Sequence, residues 1–168
     1  MTGEAGKSRL MHAVGEMGIS CRAWEMTLLA AENAPGLARQ ATREVLTSWH
    51  VAHLEETAVL FVSELVTNVV RHARTGGSTL VLRLEATGTL LRIEVHDADP
   101  YWPQLRRPGE LDESGFGFVI VDALASKWGV SETATGKAVW AELDTPPRPP
   151  AGLAGRIVTS LDPGPGFG

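Results

Sequence analysis

The chain has 168 residues and one cysteine, Cys21. An internal disulfide is therefore excluded, and such cysteine use fits a reducing compartment. Nothing near Cys21 marks an activating base, so it reads as a buried or incidental thiol rather than a nucleophile. No apolar run approaches the roughly 20 residues that span a bilayer. The N-terminus lacks a compact basic-then-apolar signal pattern. There is no long basic run, since Arg106-Arg107 is too short to form a patch, and the net charge is −5. Nucleic acid and membrane are accordingly not expected as partners. No internal repeat is visible. The expectation is a cytoplasmic protein whose hydrophobic fraction of 43 % suits a single domain with a full core.

One stretch organises the chain. No Pro or Gly falls between Leu54 and Arg74, which allows a helix of about five turns. Leu54, Ala58, Phe61, Leu65 and Val69, with Val59, Val62, Val66 and Val70, form an apolar face wide enough to bury against a sheet. Glu64, Asn68 and His72 recur every four residues and share one stripe. Such a stripe is often no more than solvated surface. A carboxylate one turn from a carboxamide also suits a hydrated Mg²⁺, which takes oxygen ligands and keeps several waters.

The flanking segments supply the rest of a fold. Residues 1–23 read as a loose leader. A strand follows at 24–30, a turn or helix start at Asn33-Ala34-Pro35-Gly36, and a helix over 37–49 with Leu37, Ala41, Val45 and Trp49 in line. His50 and His53 have metal-ligating side chains but no evident third ligand, and read as a surface linker. Residues 79–85 and 90–97 alternate about Thr87-Gly88-Thr89, as an antiparallel hairpin does. Residues 98–114 form a long Pro-containing loop, a length usual for functional or mobile segments. Gly115-Phe116-Gly117 then opens a helix, whose free backbone N–H groups are a ready anion site. Strands are expected at 127–131 and 137–143, and 144–168 is a Pro/Gly-rich tail. These elements predict an α+β sandwich: a mostly antiparallel sheet with helices on one face, over 24–143.

The order of the polar residues carries a resemblance. A helix with Glu64 and Asn68, a strand ending at Asp97, a long loop and the Gly115–Gly117 helix entry follow one another. This order resembles the histidine-kinase-like ATPase superfamily, with its Bergerat nucleotide-binding fold. Ser63-Glu64-Leu65-Val66-Thr67-Asn68 with Arg71-His72 is similar to the first nucleotide motif of the anti-sigma-factor serine kinases. Val121-Asp122-Ala123-Leu124-Ala125, Trp128-Gly129-Val130 and Gly136-Lys137 with Val139-Trp140 are similar to their later segments.

The resemblance implies ATP and Mg²⁺ as ligands. It casts Glu64 as general base and Asn68 as the Mg²⁺ ligand. Asp97 would accept from the adenine amino group, and the backbone at Gly115 and Gly117 would meet the phosphates. Residues 98–114 would be a lid. His72 is a helix-end contact or a catalytic group. The implied activity is a serine/threonine protein kinase acting on a small antagonist protein, or holding a sigma factor, in a partner-switching circuit, with dimerisation typical. The alternatives are a nucleotide-binding interaction module without phosphotransfer and a structural domain with a vestigial pocket. Three positions depart from the pattern. Phe116 stands where Arg is common, and Asp99 where Gly or Ser is. Ala138 stands where a Thr hydroxyl helps fix the adenine; losing such a hydrogen bond costs about 0.5–1.5 kcal/mol.

Overall fold

The computed structural model describes residues 8–14, 20–72, 77–98 and 121–144. Six strands form one sheet: β1 (Ser8–Val14), β2 (Ser20–Leu29), β3 (Thr79–Thr87), β4 (Leu90–Asp97), β5 (Lys127–Thr133) and β6 (Gly136–Asp144). Their lateral order is β1-β2-β3-β4-β6-β5, with every pairing antiparallel. Two helices, α1 (Ala34–Ser48) and α2 (Glu55–His72), pack on each other. Helix α1 also meets β2, while α2 meets β4 and β6. Residues 121–124 add a helical turn whose Val121 joins the core. The result is a two-layer α/β sandwich, the α+β architecture the sequence predicts.

Period-two alternation decides which side chains enter the core. On β3, Leu80, Leu82 and Leu84 are buried; on β4, Leu91, Ile93 and Val95; on β6, Val139, Ala141 and Leu143. Register stacks them into rows across the sheet. One row is Trp24–Leu84–Ile93–Ala141 and the next is Met26–Leu82–Val95–Val139. Helix α2 lays Ala58, Phe61, Val62, Leu65 and Val66 on these rows. Its first turn holds Glu55 and Glu56 and its last Arg71 and His72, the signs that suit the helix dipole.

Two local expectations are corrected, and the segment Asn33–Gly36 resolves as a helix start. Residues 8–14 and 20–22 are not loose: they pair as β1 with the start of β2. Helix α1 begins at Ala34, with Pro35 in its first turn where the missing N–H costs nothing. Its buried stripe is Ala34, Ala38, Thr42 and Val45–Leu46, whereas Leu37 is exposed. The small residues win because they allow close approach of α1. Buried Thr42 donates its hydroxyl back to the Ala38 carbonyl at 2.8 Å, so the polar atom is satisfied within the helix.

Helix α1 ends in a Schellman-type cap built on a histidine. His50 takes φ +59°, its N–H donates to the Thr47 carbonyl, and the Val51 N–H donates to the Leu46 carbonyl. From the sheet, Arg22 donates to the Trp49 carbonyl at 2.8 Å. The His50–His53 segment is thus a cap and a short 3₁₀ turn (Ala52–Leu54), consistent with a linker. Gly115, Gly117, Phe116, Asp99, nearly all of the proposed lid and the tail beyond Asp144 lie outside the described residues.

Candidate functional site

Asp97 is the last residue of β4 and continues the parity of Leu91, Ile93 and Val95. It therefore stands on the helix-covered face, at the end of an apolar row. Its cross-strand partner on β6 is Lys137, which continues the parity of Val139 and Ala141. The Lys137 ammonium Nζ donates to Asp97 Oδ1 at 2.8 Å, and the two side chains are only 8 % and 6 % exposed. The full row reads Leu28–Leu80–Asp97–Lys137–Glu132, with Glu132 exposed near the sheet edge.

The backbone beneath this pair is tightly packed. Gly136 has φ +152°, and a Cβ there would lie 2.1 Å from the Asp97 carbonyl oxygen and 2.7 Å from the Ala98 Cα. Only a residue without a side chain lets the β5–β6 turn abut the end of β4.

Register also corrects the reading of Ala138. It pairs with His96 and Ser131, one residue out of phase with Asp97, so its side chain lies on the opposite face of the sheet. A hydroxyl at 138 would point away from Asp97. The side chain that adjoins the carboxylate is Lys137.

Helix α2 carries the other candidates. Ser63 faces α1, where it accepts a hydrogen bond from Arg39 at 3.0 Å. Glu64 and Asn68 lie about 100° and about 140° around the helix from Ser63. Both are half-buried. Because α1 lies toward β2 and α2 lies over β4 and β6, the flank opposite α1 is the one on the β6 side of the sandwich. His72, on the same stripe, is exposed at the helix end. The oxygens of Glu64 and Asn68 are the hard donors Mg²⁺ takes, and one or two of them suffice for an ion that arrives with phosphates. Among the described residues no three His, Cys, Asp or Glu side chains converge into a metal cage. His50 and His53 thus join no such cluster.

The open face holds a second polar cluster. Arg92 donates from Nε to Glu94 and from Nη1 to Glu142, both at 2.6 Å, and its guanidinium lies 4.1 Å from the centre of the Trp140 ring. Trp140 Nε1 donates to Ser131 at 3.0 Å. Gly129 leaves room for this ring, since a Cβ there would meet it at 2.8 Å. His96 Nε2 is 2.9 Å from Glu94 Oε2. The hydrogen bond with His96, with that from Arg92, pulls the Glu94 carboxyl down to about 2 against the opposing effect of burial.

Sequence reasoning singled out Asp97 and passed over its buried partner Lys137. The available signal was parity: a lysine two residues before Val139 in an alternating strand occupies a core-facing position, where a charge needs a partner.

An antiparallel sheet covered on one face by helices, with a buried acid at the end of a central strand and a carboxylate–carboxamide stripe on the covering helix, defines a nucleotide-binding class of domain. The histidine kinase-like ATPase domain family matches residues 28–143, more than half of the chain, and the protein belongs to that family. It is an ATP-binding domain. An uncharacterized protein of Streptomyces coelicolor is 34 % identical over 83 residues, which are 48 % of this chain and 79 % of that protein. Among the described residues no helix is long and apolar enough to cross a membrane.

Proposed function

We propose that the protein is an anti-sigma-factor-type serine/threonine kinase. It transfers the ATP γ-phosphoryl group to a serine of a small antagonist protein in a partner-switching circuit. The observation that carries the reading is Asp97 on the helix-covered face of β4, the strand on which α2 packs, with Glu64 and Asn68 on the β6-side flank of that helix, within a matched ATPase domain.

In this reading Asp97 accepts a hydrogen bond from the adenine 6-amino group. Asn68 offers its amide oxygen to Mg²⁺, which when bound offsets phosphate charge. Glu64 takes the proton of the attacking serine hydroxyl as the Oγ–P bond forms and the bond to ADP breaks. The backbone at Gly115 and Gly117 offers N–H groups to phosphate oxygens. Orientation supplies much of the rate. The partners are the antagonist protein, a sigma factor, or both, and a second copy of the chain. The alternative is an interaction module that uses ATP as a conformational ligand without phosphotransfer. An aromatic Phe116 between the two glycines favours that alternative, since it cannot pair with phosphate.

Nucleotide titration with and without Mg²⁺, followed by phosphotransfer to a serine-bearing partner, tests both readings. Glu64→Ala is expected to abolish transfer while retaining ATP binding, and Asn68→Ala to remove the Mg²⁺-dependent part of binding. ATP binding with no transfer to any serine-bearing partner would favour the interaction module. Absence of ATP and ADP binding would reject both.

A further inference from the structure

We propose that Lys137 is a positioning residue for base selection: it fixes the Asp97 carboxylate as an acceptor-only edge, so that the site takes a 6-aminopurine and rejects a 6-oxopurine. This rests on the proposed role of Asp97 as the adenine acceptor.

Three observations converge. The ammonium is 2.8 Å from Oδ1, and both side chains are almost fully buried. The pair is in direct cross-strand register, so the contact follows from the sheet rather than from a flexible reach. Gly136 packs against the Asp97 carbonyl and fixes the backbone beneath it. The carboxylate is therefore held from the side and from below.

The chemistry of selection follows. An ionised carboxylate only accepts hydrogen bonds, with about four lone-pair sites, so accepting from Lys137 does not exhaust its capacity. A 6-amino group donates to it. A 6-oxo group presents an acceptor to an acceptor at that position, so the hydrogen bond is lost and the two oxygens repel. Sites built on a hydrogen bond to a substrate group discriminate strongly against analogues that lack it. An unrestrained carboxylate rotates about its terminal torsion, which is broad, and the contact loses its direction. The ammonium also cancels the charge of Asp97, so the base meets a neutral pair.

The prediction separates this role from a structural one. ATP uses the Asp97 contact and inosine triphosphate does not. In Lys137→Met, ATP affinity is expected to fall about tenfold, the equivalent of one charged hydrogen bond, while inosine triphosphate affinity changes less than about twofold. Lys137→Arg, which keeps charge and donors, is expected to restore most of the ATP preference. Calorimetric titration of the full chain with each nucleotide reads the ratio. If Lys137→Met does not fold, Lys137→Gln, which keeps a donor without the charge, reads the same ratio at an intermediate value. Equal loss of both nucleotides in the variants would overturn the role of Lys137. Wild-type protein that binds ATP and inosine triphosphate equally would instead overturn the adenine-acceptor reading itself.

Discussion

The two faces of the sheet obey the same alternation and treat charge in opposite ways. On β3, β4 and β6 the helix-covered face is aliphatic for three rows, and the next row carries the Asp97–Lys137 pair. The open face interleaves Arg83, Glu85, Arg92, Glu94, His96 and Glu142, several of them linked to one another. On the open face the ion pairs join opposite signs, and their side chains are 15–37 % exposed. A buried pair has far less solvent, and its desolvation cost is offset only while both partners are present. Replacing both members of such a pair with apolar side chains is often neutral or stabilising. A pair of this kind beyond three apolar rows fits the proposed base-reading role better than a stabilising one.

Breaking that pair gives the largest expected effect. Lys137→Met leaves a carboxylate buried without its ammonium and is expected to cost about 3 kcal/mol of folding stability. The double variant Asp97→Leu with Lys137→Met should recover most of that loss while losing the adenine contact. Urea unfolding of the two single variants and the double variant checks this. Additive losses would mean that the pair is not coupled.

Gly136→Ala comes next, at about 2–3 kcal/mol. Its methyl group must displace the backbone at Asp97 and Ala98, and its φ of +152° is strained for any side chain. A lowered urea midpoint with an unchanged slope is the expected signature.

The open face supplies the smallest effect, and it is the one that varies with pH. Glu94 has an ordinary value of 4.5 and a folded value of about 2. Its folded value is the lower one, so its contribution is complete above pH 4.5 and is lost as pH falls toward 2. Glu94→Gln should flatten the thermal stability profile in that window, lower stability above it, where the ionised carboxylate contributes, and leave it nearly unchanged near pH 2. An identical acid profile in the variant would assign the acid sensitivity to other carboxylates.

Much of this contrast is readable from the sequence. The alternation in 79–85 and 90–97, the uninterrupted apolar face of α2 and the order Glu64, Asn68, Asp97 led to the architecture and the family. What was not readable has physical causes. The segment at 8–14 lacks a clear alternating pattern, and its pairing with β2 is a tertiary outcome. The buried stripe of α1 uses Ala and Thr, which carry a weak hydrophobic signal; of the residues in line, Val45 and Trp49 are buried, Ala41 is partly buried and Leu37 is exposed. His50 adopts a left-handed cap that usually signals itself with glycine. The role of 137 against 138 depends on register, and a shift of one residue exchanges the faces.

The bond from Arg22 to the Trp49 carbonyl has a mechanical consequence. Arg22 lies in the row of Ala86, Leu91 and Leu143, three rows from Asp97. Six residues of strand separate those rows, a span of about 20 Å. The sandwich is stitched there like the spine of a book, and the Asp97–Lys137 pair sits at the fore-edge. Small separations of the leaves at that edge leave the stitching intact.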